Sequence, residues 1–178
     1  MQKLLINGKK ELFGKISISG SKNATLPILA ATILSNKVKL KNIPLVQDIF
    51  TMIELLKSIG LKTVISKKKN TLKIKNIDQN INTLAPYKLV KTMRAGVLVL
   101  GPLLARYRNA KISLPGGCAI GTRPVDLHLF ALKKLGAKIK IKNGYIIAEA
   151  KNGLKGAKIT FPNISVGATE NAILAAFK

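Results

Sequence analysis

The stretch that decides the fold occurs twice: residues 55–62 read LLKSIGLK and residues 131–138 read ALKKLGAK. The glycines in these copies, Gly60 and Gly136, are 76 residues apart, and each follows an amphipathic helical pattern. A glycine at this position predicts a helix that ends in a left-handed turn. Alternating apolar and polar residues follow in both copies and predict a β-strand. The sequence therefore contains an internal repeat.

A second series of segments, rich in small apolar residues, has nearly the same period. Residues 24–34, 92–105 and 168–177 form this series, with matching residue pairs 73 and 72 positions apart. Strands are predicted before the first and third of these helices, at residues 15–19 and 157–161. Each unit then runs strand, helix, strand, helix, strands over about 70 to 76 residues, which is an α/β architecture.

The third unit is incomplete in this sequence. It supplies one strand and a helix that is predicted to begin near Gly167, and the chain stops at Lys178. The final residues, 172–177, are apolar and offer no C-cap. Because domains seldom end on an uncapped core helix, we expect the sequence to be truncated.

Composition bounds the class of protein. The chain has 178 residues, 47% of them hydrophobic, which excludes the low-hydropathy disordered class. One cysteine excludes an internal disulfide framework and a cysteine-based zinc site. The first residues lack the apolar core of a signal peptide, and the longest apolar run, residues 95–105, is too short to cross a bilayer. We therefore expect a cytoplasmic protein with no membrane partner.

The net charge of +24, from 31 Lys+Arg against 7 Asp+Glu, raises the question of a nucleic-acid partner. Many lysines alternate with aliphatic residues, as at residues 37–41, 72–75 and 138–142. This period is typical of strands with one buried and one solvated face. Aromatic residues make up 4% and tryptophan is absent, which argues against a base-stacking surface. We favour solvated strand faces over a basic nucleic-acid-binding module, and expect no specific nucleic acid.

Lys22 and Asn23 lie where the predicted strand at 15–19 leads into a helix. Pro27 places the helix start near Asn23, since proline is tolerated in a first turn. Free backbone N–H groups at a helix start, together with the Lys22 ammonium, favour an anion. An ordinary helix cap with an exposed lysine is the alternative interpretation.

Arg94 lies on a long helix predicted after Pro86, three residues beyond Lys91 and on the same face. An apolar stretch follows Arg94, so its guanidinium would need a carboxylate or phosphate partner if buried. A surface arginine whose alkyl stem packs on apolar neighbours is the alternative.

Cys118 lies on a loop with three glycines, close to Arg123. The surroundings favour a partly exposed thiol whose pKa responds to cationic neighbours, although a lone cysteine is more often buried. Pro124 opens the next helix, and Asp126 in its first turn suits the helix dipole. His128 has no nucleophile or metal partner in the sequence, so we interpret it as a helix residue beside the core.

Ser165 lies in a polar loop ahead of the third small-residue helix and could take a phosphate together with the helix N–H groups. The alternative is an N-cap formed by Ser165 or Thr169. The four segments that contain these candidates, at Lys22, Arg94, Cys118 and Ser165, all lie where a strand or loop leads into a helix. We expect the repeat to bring these helix starts together on one anion-binding face.

Five motifs carry a family resemblance: residues 20–24 (GSKNA), 89–95 (LVKTMRA), 114–118 (LPGGC), 121–128 (GTRPVDLH) and 165–169 (SVGAT). They resemble those of the enolpyruvyl transferases, in particular the UDP-N-acetylglucosamine 1-carboxyvinyltransferases of peptidoglycan synthesis. The resemblance runs from about Leu4 to the last residue. The sister branch, 3-phosphoshikimate 1-carboxyvinyltransferase, has the same repeat fold but lacks the Gly-Gly-Cys loop.

The resemblance implies an inside-out α/β barrel of two domains. Residues 1–13 would contribute a strand to the second domain, and residues 14–178 would form the catalytic-loop domain, with its third repeat incomplete. It also implies transfer of the enolpyruvyl group of phosphoenolpyruvate to the 3′-hydroxyl of UDP-N-acetylglucosamine, with release of phosphate. No cofactor and no metal are implied.

Residue roles follow from the same resemblance. Cys118 would protonate C3 of phosphoenolpyruvate and could hold it covalently. Lys22 and Asn23 would contact its phosphate side, and Arg94 would bind anionic substrate atoms. The nucleotide diphosphate would lie at Ser165 and Val166. The UDP-sugar site would be lined by Arg123, Pro124, Val125, Asp126 and Leu127.

Two departures from the family pattern bear on activity. Asn163 stands where the family more often has a basic residue. From the resemblance we also expect the second domain, with an acid near the acceptor hydroxyl, to be missing beyond Lys178. We therefore expect this chain to be inactive alone, unless a separately encoded second domain completes the cleft. The alternative is a non-catalytic remnant or fragment of the enzyme.

We predict that Cys118 reacts with electrophiles faster at neutral pH than a free thiol does, because of its flanking glycines and the nearby Arg123. The resemblance adds the epoxide fosfomycin as an alkylating reagent. Mass spectrometry after timed incubation measures the rate, with an unfolded cysteine peptide as the reference. Labelling no faster than that peptide would contradict the prediction.

Overall fold

The computed structural model describes residues 3–77, 81–91, 93–115 and 125–177, and only the backbone of Arg94. The helices are α1 Lys22–Ala31, α2 Gln47–Ile59, α3 Tyr87–Val90, α4 Leu100–Tyr107, α5 Asp126–Lys134 and α6 Val166–Ala176, with 3-10 helices at Thr32–Leu34 and Arg94–Val99. The strands are β1 Lys37–Leu40, β2 Lys62–Ser66, β3 Thr71–Lys75, β4 Leu84–Ala85, β5 Asn109–Ser113, β6 Lys138–Lys142 and β7 Tyr145–Glu149. None of the described helices is long and apolar enough to cross a membrane.

A three-stranded antiparallel sheet has the order β1-β3-β2. In its centre, Leu72 pairs with Leu40 and Ile74 pairs with Val38. Leu72 and Ile74 are fully buried, whereas the intervening Lys73 is exposed. The alternation of lysine with aliphatic residues therefore marks strands with one solvated face, as the sequence predicted.

The second sheet has the order β4-β5-β7-β6. The short β4 runs parallel to β5, and the other two pairs are antiparallel. Ile112 of β5 faces Ile146 of β7, and both side chains are buried. Small residues of this sheet, Ala85, Ala110 and Ala148, are buried as well.

The predicted repeat is confirmed by two copies of a helix followed by a hairpin: α2–β2–β3 and α5–β6–β7. Each helix is followed by the predicted left-handed glycine: Gly60, with φ 115°, comes directly after α2, and Gly136, with φ 93°, lies two residues after the end of α5. The Leu61 N–H then donates to the Leu56 carbonyl at 3.0 Å, and the Ala137 N–H donates to the Leu132 carbonyl at the same distance. This hydrogen bond, from the N–H of residue i+5 to the carbonyl of residue i, is typical of a Schellman turn and redirects the chain from helix to strand in each copy.

Helix α4 lies at the centre of the molecule, with Leu100, Leu103 and Leu104 fully buried. It packs against α6 at a point where the two backbones nearly touch. A Cβ atom at Gly101 would lie 2.5 Å from the Asn171 carbonyl oxygen and 3.2 Å from the Ala175 nitrogen. Only glycine therefore fits at this crossing.

Two of the predicted strands are absent from the described residues. Residues 15–19 and 157–161 have no ladder partner there, and residues 3–13 likewise pair with no strand. Ile16 and Ile18 are exposed, although they have the alternation of a strand. A strand needs a neighbour for its backbone groups, so the pattern alone is insufficient. The assignment of residues 1–13 to a second domain stays a prediction.

The long helix predicted at residues 92–105 is wrong. Met93 is extended, with φ −135° and ψ 111°, and a 3-10 helix precedes α4. Gly96 packs closely against Val90. Pro102 has no N–H and is tolerated best near a helix start, and it is the third residue of α4. Lys91 and Arg94 therefore do not share one helical face.

Pro27 also departs from its predicted position, because it is the sixth residue of α1 and lies outside the first turn. Its ring nitrogen cannot donate to the carbonyl of Asn23. Asn23 is exposed, so that carbonyl remains accessible to water and the helix tolerates the missing bond.

Substitution of Gly101 by alanine is predicted to lower the free energy of unfolding by about 1–3 kcal/mol, because the new methyl group collides with backbone of α6. Urea unfolding measures the change. Gly156→Ala is the control, since a Cβ atom there meets nothing within 4 Å. Equal stabilities of the two variants would contradict this account of the crossing.

Candidate functional site

An open cleft of about 630 Å³ lies where α1 and α6 begin. The starts of α1, α2 and α6, the 3-10 helix before α4, and α5 all contribute to its walls. The side chains with polar or charged groups in this lining are Lys22, Asn23, Asp48, His128, Ser165 and Glu170. Apolar residues of the 3-10 helix, Ala95, Val97 and Leu98, form another part of the wall.

The start of α1 is fixed by a close backbone contact and a cap. Any Cβ atom at Gly20 would overlap the Asn42 carbonyl oxygen, so glycine lets the chain pass there. Ser21 follows as the N-cap, and its Oγ accepts from the Ala24 N–H at 3.3 Å. Lys22 and Asn23 are then the first two residues of the helix, exposed at the cleft. The cap and the exposed lysine of the alternative interpretation are therefore both observed, and the anion contact stays a prediction.

Lys22 forms an ion pair that sequence reasoning missed. Its Nζ lies 3.0 Å from Oδ2 of Asp48, in the first turn of α2. The side chains are 49% and 39% exposed. Ion pairs in such surroundings contribute about 0.2–1 kcal/mol, so a ligand phosphate can compete for the ammonium. An acid near a helix start is too common a sequence feature to identify the partner of Lys22.

The start of α6 resembles that of α1. Ser165 is its N-cap, with Oγ accepting from the Ala168 N–H at 3.3 Å. Thr169 Oγ1 donates to the Ser165 carbonyl at 2.9 Å. The N-cap interpretation of Ser165 is therefore confirmed. Its hydroxyl proton is not used by the cap and can still be donated to a ligand.

Glu170 adds a second acid to the cleft lining. Burial raises the pKa of its carboxyl, because desolvation disfavours the charged form. The carboxyl lies one turn into α6, past the capped start. The cleft lining therefore contains two acids, Asp48, which is paired with Lys22, and Glu170, which is partly desolvated.

The structure brings together four of the predicted site residues: Lys22, Asn23, Ser165 and Val166 all line the cleft. His128, interpreted from sequence as a residue beside the core, is buried and also lines it. Its placement could not be read from sequence, because it depends on how α5 packs against α6.

Other predicted site residues lie elsewhere or outside the described residues. Val125, Asp126 and Leu127 form the start of α5, just before His128, and are not part of the cleft lining. The backbone of Arg94 begins the 3-10 helix at the cleft wall. Cys118, Arg123 and Pro124 lie outside the residues that the structure describes, so their predicted roles are untested.

The cleft's donors suit an anion. Two helix starts contribute backbone N–H groups and positive potential, and one ammonium and one hydroxyl lie beside them. Within the described ranges, no group of three or more His, Cys, Asp or Glu side chains is placed to hold a metal ion.

Comparison with known proteins gives a consistent result. The family model of EPSP synthase (3-phosphoshikimate 1-carboxyvinyltransferase) matches residues 6–178. The UDP-N-acetylglucosamine 1-carboxyvinyltransferase of Pelagibacter ubique is 63% identical over 177 residues, and that of Campylobacter fetus is 54% identical. Each alignment covers 99% of this chain, which spans 42% of the length of these relatives.

Solved structures share the fold. The enolpyruvyl transferase NikO from Streptomyces tendae superposes with a TM-score of 0.75 at 18% identity, over 88% of this chain and 37% of its own. An EPSP synthase from Acinetobacter baumannii gives 0.68 at 16% identity, over 91% of this chain and 37% of its own. The predicted enolpyruvyl transferase fold is thereby confirmed. From residue 6 onward, the chain belongs to the EPSP synthase (3-phosphoshikimate 1-carboxyvinyltransferase) family of enolpyruvyl transferases.

Proposed function

We propose that this chain supplies one wall of the active site of a UDP-N-acetylglucosamine 1-carboxyvinyltransferase. In the proposed reaction, the 3′-hydroxyl oxygen of the sugar bonds to C2 of phosphoenolpyruvate, and the bond from C2 to the phosphate oxygen breaks. The hydroxyl oxygen loses its proton and the departing phosphate takes one up, so no net proton is gained or lost. The enolpyruvyl group remains on the sugar.

The observation that carries this proposal is the convergence of two capped helix starts on one cleft. Lys22 follows the cap of α1, and Ser165 caps α6, so donors from two distant parts of the chain face one space. Both proposed substrates are polyanions, which such a space would bind. The names of the similar relatives support the choice of substrates.

The proposed roles divide between the two helix starts. Lys22 and Asn23 would bind the phosphate of phosphoenolpyruvate, and Ser165 with the N–H groups after Val166 would bind the nucleotide diphosphate. Lys22 would do so by exchanging part of its contact with Asp48 for the phosphate oxygens. An ammonium has three donors, so it can keep the Asp48 contact while donating to the ligand.

The remaining proposed roles come from the sequence resemblance. Cys118 would protonate C3 of phosphoenolpyruvate, and C3 would lose one proton again as phosphate leaves and the double bond re-forms. Arg94 would bind anionic substrate atoms, and the residues from Arg123 to Leu127 would line the UDP-sugar site. Because Leu127 directly precedes His128, which lines the cleft, a UDP-sugar reaching from α6 toward the start of α5 would remain within this region.

Calorimetric titration of the 178-residue chain tests the substrate assignment. We expect UDP-N-acetylglucosamine to bind more tightly than 3-phosphoshikimate, the compound in the name of the family. The converse ranking would reject the proposed acceptor while leaving the family intact.

Lys22→Gln is predicted to weaken phosphoenolpyruvate binding by about tenfold, since a hydrogen bond to a charged group is lost. The same titration measures it. Lys138→Gln on β6 removes an identical charge from an exposed strand face and is the control. Equal losses in both variants would mean that the protein's overall charge, and not Lys22, sets the affinity.

Glu170→Gln is predicted to strengthen UDP-N-acetylglucosamine binding by about threefold at pH 8. The raised pKa of Glu170 gives the sign: its carboxyl ionises as the pH rises through that pKa, and only the ionised form repels the diphosphate. The advantage of the variant should therefore shrink as the pH falls. Glu54→Gln, on the exposed side of α2 and paired with Lys57, is the control. An advantage that grows toward low pH would contradict the prediction.

A further inference from the structure

Asn171 is fully buried and joins elements that surround the cleft. Its Oδ1 accepts from the Gly101 N–H of α4 at 2.8 Å, and its Nδ2 donates to the Val97 carbonyl at 3.2 Å. An N–H can only donate and a carbonyl can only accept, so these two backbone groups fix which end of the amide is oxygen. The orientation of the Asn171 side chain is therefore determined.

The same amide nitrogen lies 3.1 Å from Nδ1 of His128 on α5. Because the nitrogen is a donor, Nδ1 must accept. An imidazole whose Nδ1 accepts carries its proton on Nε2, and a protonated Nδ1 would place two donors face to face. Asn171 thus selects one neutral tautomer of His128.

The other edge of the ring is directed toward the start of α6. A Cβ atom at Gly167, in the first turn, would lie 3.5 Å from Nε2 and 3.4 Å from Cε1 of His128. Gly167 and His128 both line the cleft. These are ordinary van der Waals distances, so the Cε1–Nε2 edge of the ring lies directly beside the first turn of α6.

We propose that Asn171 is a positioning residue, which holds His128 as the neutral Nε2–H tautomer and aims that N–H along the cleft wall at the start of α6. The ligand that would benefit is an anion with a diphosphate, and this part rests on the proposed function. His128 acts as an uncharged donor, and Asn171 acts through it.

Nitrogen-15 NMR tests the positioning directly. His128 is the single histidine of the sequence, so its ring signals need no assignment by mutation. In the wild-type chain we expect a proton on Nε2, an acceptor-type Nδ1 signal, and a scalar coupling between Nδ1 and the Asn171 side-chain amide. A protonated Nδ1 in the wild type would overturn the proposal without any variant.

Asn171→Asp reverses the hydrogen bond. Gly101 N–H still donates to one carboxyl oxygen, whereas the second oxygen replaces the nitrogen that donated to Val97 and Nδ1 and, when ionised, can only accept. The proton is then expected on Nδ1, with a shift of its signal to the protonated type. A signal unchanged from wild type in the folded variant would overturn the proposal.

Asn76→Asp is the matched control. Asn76 is also a buried asparagine, 5% exposed, and its Nδ2 donates to the Ile33 carbonyl and the Tyr107 hydroxyl, away from the cleft. The same substitution adds the same charge and disturbs a buried amide, so it reproduces the general cost to stability. We expect it to leave the His128 signals unchanged. Equal shifts in both variants would mean that the His128 signals follow general destabilisation, which would overturn the proposal.

Titration with UDP-N-acetylglucosamine adds a functional measurement. We expect Asn171→Asp to weaken its binding by about 3- to 10-fold, as for the loss of one hydrogen bond, and Asn76→Asp to change it by less than about twofold. A wild-type chain that binds no UDP-N-acetylglucosamine but shows the expected ring signals would reject the proposed function and support the positioning role. Unchanged affinity in Asn171→Asp, with wild-type binding intact, would overturn the link between Asn171 and the ligand.

Discussion

The contact between Gly101 of α4 and Asn171 of α6 is the constraint on which the rest of the structure depends. The two backbones approach so closely that a side chain at residue 101 has no space, and the Asn171 amide satisfies the Gly101 N–H within that contact. Buried polar groups are costly unless paired, so the crossing is stable only in one registration. The position of α6 along α4 therefore determines where α6 begins. It also determines which part of the cleft wall Ser165 and Gly167 form beside His128.

Local signals in the sequence were sufficient for features that depend on neighbouring residues along the chain. Gly60 and Gly136 followed their helices as predicted, and the lysine alternation gave solvated strand faces. The prediction was wrong where geometry between distant segments decides. Residues 15–19 have the alternation of a strand but no described neighbour to pair with, and Met93 interrupts a helix that periodicity alone would continue. Pro27 was tolerated deeper in α1 because the Asn23 carbonyl is exposed.

The candidate site divides along the same line. Lys22, Asn23 and Ser165 were predicted because a helix start is a local feature, and the repeat predicted that such starts would converge. Val166 was predicted from the family resemblance. Asp48, Glu170 and the Asn171–His128 pair were not predicted, since their importance comes from contacts between α1 and α2 or between α4, α5 and α6. The sequence has 7 Asp+Glu and 31 Lys+Arg, so it does not indicate which lysine forms an ion pair with Asp48. The roles of Cys118, Arg123 and Pro124 stay predictions, because they lie outside the described residues.

The three repeats contribute unequally to the cleft, and the difference has a physical cause. The first and third deliver α-helices whose capped starts, at Ser21 and Ser165, present N–H groups. At the corresponding place the second delivers the 3-10 helix Arg94–Val99, where Gly96 packs against Val90 and apolar side chains line the cleft. Two polar helix starts beside one apolar wall suit a ligand with charged and uncharged parts. A sequence repeat can therefore build an asymmetric site when one copy departs from regular helix geometry.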